Sequence, residues 1–149
     1  MGRISGLSHV GVFVRDLEEM TKFYCETLGF TESHRNEGRM VFLTADIENE
    51  DHEVVLVQGR DGDAKIIQQL SFRVKSVEDV RAFYQTFKRD DVPIHRTVSH
   101  GAGVSCYFFD PEGNRLEVFA DIPVEKHGYD GPIDLENTAD ELVAQVLAG

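Results

Sequence analysis

Glu117 stands between Leu116 and Val118, where a strand favours apolar or β-branched residues. It closes residues 105–119, a bulky run that reads as strand, tight turn and strand around Asp110-Pro111-Glu112-Gly113-Asn114. A carboxylate in that setting faces either solvent or a polar cavity. Three further polar residues border apolar runs: His9, Glu53 and Gln69. One imidazole, one amide oxygen and two carboxylates are donors that a divalent cation accepts. The plain alternative is four polar side chains touching water on an open sheet face.

The elements that must carry these residues form a repeat. Residues 7–14 alternate, with Val10, Val12 and Val14 on one face and His9, Gly11 and Phe13 on the other, as in a half-buried strand. Asp16 is placed to cap a helix, with Glu19 as its partner. Leu17, Met20, Phe23, Tyr24 and Leu28 form the apolar stripe of that helix, and Gly29 ends it. Strands are expected at 30–35, 40–45 and 53–58. Sixty residues on, the pattern restarts: Val14/Val74, Glu18/Glu78, Phe23/Phe83 and Tyr24/Tyr84 are identical, and Ser76 with Asp79 replaces the Asp16 cap. Strands follow at 94–98, 104–109 and 115–120. Two copies of βαβββ are the expectation.

The repeat places His9 opposite Gln69 and Glu53 opposite Glu117. The first strand of each copy has one wholly apolar face (Val10, Val12, Val14; Leu70, Phe72, Val74) and one largely polar face (His9, Gly11, Phe13; Gln69, Ser71, Arg73). If the copies pair side by side, a pseudo-twofold axis brings the four polar residues toward one point. Unrelated residues would not all fall at equivalent places on one face, which favours the cation over the plain alternative.

Bulk properties narrow the field. At 149 residues the chain has room for one domain with a core that needs no staples. Lys and Arg number 15 against 27 Asp and Glu, a net charge of −12 that argues against nucleic acid and anionic membrane partners. Cys25 and Cys106 fall in a helix and a strand and read as reduced packing residues. With no leader-like or membrane-length apolar run, a cytoplasmic location is expected.

With these residues in place the chain resembles the vicinal oxygen chelate superfamily, which includes glyoxalases, epimerases, bleomycin-binding proteins and extradiol (catechol-cleaving) dioxygenases. The likeness runs from residue 7 to about 120. It implies an α+β fold of two paired βαβββ modules in a half-open, cup-shaped mixed barrel with flanking helices. Module one would span 7–59 and module two 67–120, with a C-terminal extension and short helix at 121–149, all in a single domain. Carried over residue by residue, His9, Gln69 and Glu117 fall on the metal-ligand positions of the extradiol enzymes. Glu53 falls on the fourth ligand position of glyoxalases. His100, Tyr107, Asp110-Pro111, Gly113 and Glu117 follow the order of the dioxygenase signature, and His52 matches a further family histidine ahead of the fourth strand.

The resemblance thus implies an extradiol-type dioxygenase that takes a catecholic aromatic substrate and O₂. The metal would be Fe(II), with Mn, Mg, Ni or Zn as alternatives, the catalytic residues His100, Tyr107 and His52, and the assembly a homodimer. Two departures stand out. Cys106 replaces a larger apolar residue of the signature, and Gln69 replaces the second histidine ligand of the usual two-histidine, one-carboxylate iron set. A glyoxalase- or epimerase-like enzyme using Glu53, or a metal-free protein that sequesters a cationic drug, are the alternatives. Whether His52 or Glu53 faces the site depends on a strand register that the sequence leaves open. His34, His95 and His127 carry no motif and are assigned to the surface.

Overall fold

The structure is a computed structural model that describes residues 3, 6–65 and 67–149. It separates into two compact units, Met1–Ala64 and Lys65–Gly149. Each builds one mixed sheet from the same order of elements.

In the first unit, β1 (Val10–Val14) leads through α1 (Leu17–Lys22) to β2 (Thr31–Asn36), β3 (Met40–Thr44) and β4 (Val54–Gln58). The sheet order is β1-β4-β3-β2, with β1 and β4 parallel and the other pairs antiparallel. The alternation in β1 holds: Val12 and Val14 are buried, whereas Gly11 and Phe13 are exposed. Asp16 accepts a hydrogen bond from the Glu19 amide, which starts α1. The helix is shorter than its apolar stripe suggests. Phe23–Thr27 widens into a π-helical turn, and Gly29 leaves it at a φ of +79°, where a side chain would be strained.

The second unit repeats the plan with β5 (Leu70–Arg73), α2 (Val77–Arg89), β6 (Ile94–His100), β7 (Gly103–Phe109) and β8 (Arg115–Asp121). Again the first and last strands of the module pair in parallel, β5 with β8. Ser76 caps α2 by accepting from the Asp79 amide. Val77, Val80 and Phe87 are the buried face of that helix, and the Phe87 and Phe108 rings pack 4.2 Å apart. A short β9 (Asp130–Pro132), which no sequence signal announces, pairs with β6 through backbone bonds. The last element is α3 (Ala139–Leu147), which a Thr138–Glu141 capping box starts.

The β7–β8 turn sets the register on which the site depends. The Asp110 carboxylate is 3% exposed and accepts from the amides of Glu112 (3.0 Å) and Asn114 (2.8 Å) and from the Asn114 side chain (2.7 Å). Burial raises the pKa of its carboxyl, and those donors oppose the rise. Gly113 takes a φ of +77° at the tip. With the turn held in this way, Tyr107 lies directly across from Glu117. The fold is α+β, two βαβββ modules in sequence.

Candidate functional site

In the first unit the residues gather at the start of β1 and β4. The Val10 amide donates to the Glu53 carbonyl at 3.0 Å, so the chain at His9 runs beside the chain at Glu53. The chain bends at Glu53 before β4 begins. The His52 ring lies 4.5 Å from that of His9, centroid to centroid, and 5.1 Å from the Phe42 ring. Phe42 pairs with Val55 and Val55 with Gly11, so these rings share the open face of β1. Glu53 is tied to the end of β3: its Oε2 accepts from the Ala45 amide at 2.7 Å and from the Thr44 hydroxyl at 3.4 Å.

Three neighbours of this group carried no sequence signal. His34, exposed as expected, stacks on Phe42 at 4.1 Å and joins the same face. Asp51 Oδ2 lies 2.6 Å from His52 Nδ1, and that bond holds the Asp51 carboxyl below its usual pKa. His34 and Phe42 meet through β2–β3 pairing beside a register shift, which is not legible in the sequence.

The second unit assembles Gln69, Ser71, Tyr107, His100 and Glu117. Glu117 is 6% exposed on the face it shares with Ser71 and Tyr107. Its Oε2 accepts from the Ser71 hydroxyl at 2.5 Å and from Gln69 Nε2 at 3.2 Å. Gln69 Oε1 in turn accepts from Arg115 Nη2 at 3.0 Å. The Tyr107 hydroxyl lies 3.2 Å from His100 Nε2. Burial, and then the Glu117 carboxylate, push the Tyr107 phenol above its usual pKa. The guanidinium groups of Arg96 and Arg115 sit 4.8 and 5.5 Å from the centre of the Tyr107 ring. Ser71, His100, Tyr107, Glu117, Phe119 and Asp121 line a hollow of about 350 Å³.

Ser71 and Arg115 share the strand parity of Gln69 and Glu117, a signal legible in the sequence once those two are singled out. Arg96 reaches Tyr107 through the β6–β7 register, which is not legible there.

The bonding of these residues bears on the divalent ion that the resemblance implies. His9 Nδ1 lies 3.1 Å from Ser8 Oγ, and among the described residues nothing bonds the other ring nitrogen. Both donors to Glu117 go to Oε2, and Oε1 takes neither. An imidazole nitrogen and a carboxylate oxygen thus suit a cation as they stand. Gln69 fits only through an oxygen already bonded to Arg115. Among the described residues, no three of His, Cys, Asp and Glu form a metal-holding group.

A model of the family described as "Glyoxalase/Bleomycin resistance protein/Dioxygenase superfamily" matches residues 6–118. A catechol-2,3-dioxygenase of Bacillus subtilis (strain 168) is 26% identical over 128 residues, covering 78% of this chain. The match takes in 42% of that protein's length, so the chain spans less than half of it. Among solved structures, a glyoxylase/bleomycin resistance protein/dioxygenase domain from Frankia sp. EAN1pec is 24% identical with a TM-score of 0.70, covering 84% of this chain and 98% of that one. A variant of the fosfomycin resistance protein FosX from Listeria monocytogenes, complexed with Mn(II) and 1S,2S-dihydroxypropylphosphonic acid, is 22% identical with a TM-score of 0.65. It covers 78% of this chain and 90% of that one.

Proposed function

Since the chain belongs to the Glyoxalase/Bleomycin resistance protein/Dioxygenase superfamily, we propose that it is a metal-dependent extradiol-type dioxygenase that opens the ring of a catecholic aromatic compound. The observation that carries this reading is the company of His9: the ring of His52 stands 4.5 Å away, while Glu53 bonds to Ala45 and Thr44. A glyoxalase- or epimerase-like site would need the Glu53 carboxylate for the ion. The likeness to a catechol-2,3-dioxygenase points the same way.

In this reading His9 and Glu117 hold the ion, with Gln69 as the third ligand through its amide oxygen. A bound divalent ion, Fe(II) in the first place and Mn, Mg, Ni or Zn otherwise, supplies Lewis acidity and a template for two vicinal oxygens. The chain's own groups handle the protons. The raised pKa of Tyr107 keeps its phenol protonated at neutral pH, so its hydroxyl donates to a substrate oxygen. His100 Nε2, at 3.2 Å, exchanges a proton with that hydroxyl. His52, with Nδ1 engaged by Asp51, presents Nε2 as a proton acceptor for a catechol hydroxyl. Both atoms of O₂ enter the product, a ring-opened semialdehyde-type acid.

Oxygen consumption by anaerobically iron-loaded protein tests the proposal. Uptake is expected with at least one class of monocyclic or bicyclic catechol. A flat oxygen trace with both classes would sink it. An Mg²⁺, Ni²⁺ or Co²⁺ requirement without O₂ consumption would instead identify the glyoxalase- or epimerase-like alternative. A homodimer and a cytoplasmic location belong to the same proposal. Among the described residues no helix is long and apolar enough to cross a membrane.

A further inference from the structure

Several cations of this acidic chain stand beside a carboxylate. Arg35 bonds to Glu18 and Glu32, Arg73 to Asp121, Arg81 to Glu78, Lys88 to Glu136 and Arg89 to Asp90. At one end of the open face of the second sheet two cations without such a partner lie close together. A hollow of about 420 Å³ is lined by Lys65, Gln68, His95, Phe109, Asn114 and Arg115 among others, and no Asp or Glu lines it. Among the described residues neither Lys65 nor Arg115 has a carboxylate partner. Arg115 gives one Nη to the neutral Gln69 amide and leans on the Tyr107 ring, and its Nε is buried without an acceptor. The Asp110 carboxylate bonds Asn114 of the lining. It is buried and takes the amides of Glu112 and Asn114 and the Asn114 side chain, so it faces its own turn.

An uncompensated guanidinium and ammonium beside an aromatic wall, in a chain of net charge −12, is a receptor for a small organic anion with a flat apolar body. Phe109 provides the wall, with His95 at a ring separation of 5.5 Å. Distance along the strand links this hollow to Glu117. Arg115 and Glu117 are two residues apart in β8 on one face, about 6.6 Å at the usual strand rise. That is about the span of a benzene ring with a substituent at each end. We propose that the hollow at Lys65 and Arg115 binds the carboxylate of an aromatic acid, so that the substrate is a catechol bearing an acidic side chain rather than a neutral catechol.

The naming of the substrate rests on the dioxygenase reading, but the anion site does not, and the test keeps the two apart. Phenylacetate has no vicinal oxygens to chelate an ion, so its binding to chelator-treated protein, followed by amide chemical shifts, reports the hollow alone. Phenylacetate is expected to shift the amides of Gln68, Asn114 and Arg115 and to bind at least about tenfold more tightly than neutral benzyl alcohol, a difference of about 1.4 kcal/mol. Lys65→Gln, at an exposed position, should weaken it severalfold, and Lys65→Gln with Arg115→Gln should abolish the preference for the acid. Equal binding of the two probes, shifts confined elsewhere, or an unaltered preference in a folded Lys65→Gln protein would overturn the site. Phenylacetate binding in a protein that consumes no oxygen with any catechol would retain the anion site and discard the dioxygenase.

Discussion

Gln69 Nε2 lies 3.2 Å from Glu117 Oε2, a contact made across the parallel pairing of β5 and β8. The amide thus presents its N–H to the carboxylate, while Arg115 holds its oxygen. A ligand set that includes Gln69 must either share that oxygen with Arg115 or turn the amide over.

Replacing the amide by an imidazole removes this conflict and restores the usual nitrogen donor. Gln69→His is expected to raise Fe(II) retention after anaerobic loading and desalting, read as iron per chain. Iron content equal to that of the parent would mean that residue 69 does not coordinate.

Ser71 is the shortest donor to a carboxylate that is otherwise shut away from water. Ser71→Ala leaves a buried charge short of one hydrogen bond, which should lower the unfolding free energy by about 1–3 kcal/mol. Urea unfolding of the metal-free protein measures this. A loss well under about 0.5 kcal/mol would mean that water replaces the hydroxyl freely.

The Glu53 carboxylate serves the β3–β4 connection through Ala45 and Thr44. A glutamine keeps an acceptor oxygen for the Ala45 amide, so Glu53→Gln should alter stability by less than about 1 kcal/mol and leave the metal content unchanged. Loss of metal in a folded Glu53→Gln protein would promote Glu53 to a ligand and favour the glyoxalase-like alternative.

Burial pushes the Cys106 thiol up to about 12, and burial also raises Cys25. A raised thiol pKa means less thiolate at any given pH; at pH 8 roughly 1 in 10⁴ Cys106 side chains is the nucleophile. Iodoacetamide at pH 8 should therefore leave Cys106 unmodified in native protein and label it in urea. Rapid native labelling of Cys106 would contradict the packing described for β7.

The internal repeat made most of the fold legible, because alternation in β1 and the Ser76 and Thr138 caps are local signals that packing did not override. Three features were not. The π-turn at Phe23–Thr27 departs from the stripe of α1, and β9 is a strand by backbone pairing with β6 rather than by side-chain pattern. The choice between His52 and Glu53 hinged on a bend just before β4, and a bend of one residue reverses which side chain faces the open side. Candidate residues on shared strand parity, such as Gln69, Ser71 and Glu117, could be found in advance. Arg96 at Tyr107 and His34 on Phe42 could not, since each depends on pairing beside an irregular register.

Metal stoichiometry decides whether His9 and Glu117 hold a cation. Protein purified without oxygen or chelators, loaded with Fe(II) and desalted, should hold close to one ion per chain, and His9→Ala and Glu117→Ala should each lose it while remaining folded. Failure of the parent to retain iron or any other divalent ion, or full retention in either variant, would contradict the proposed role of His9 and Glu117.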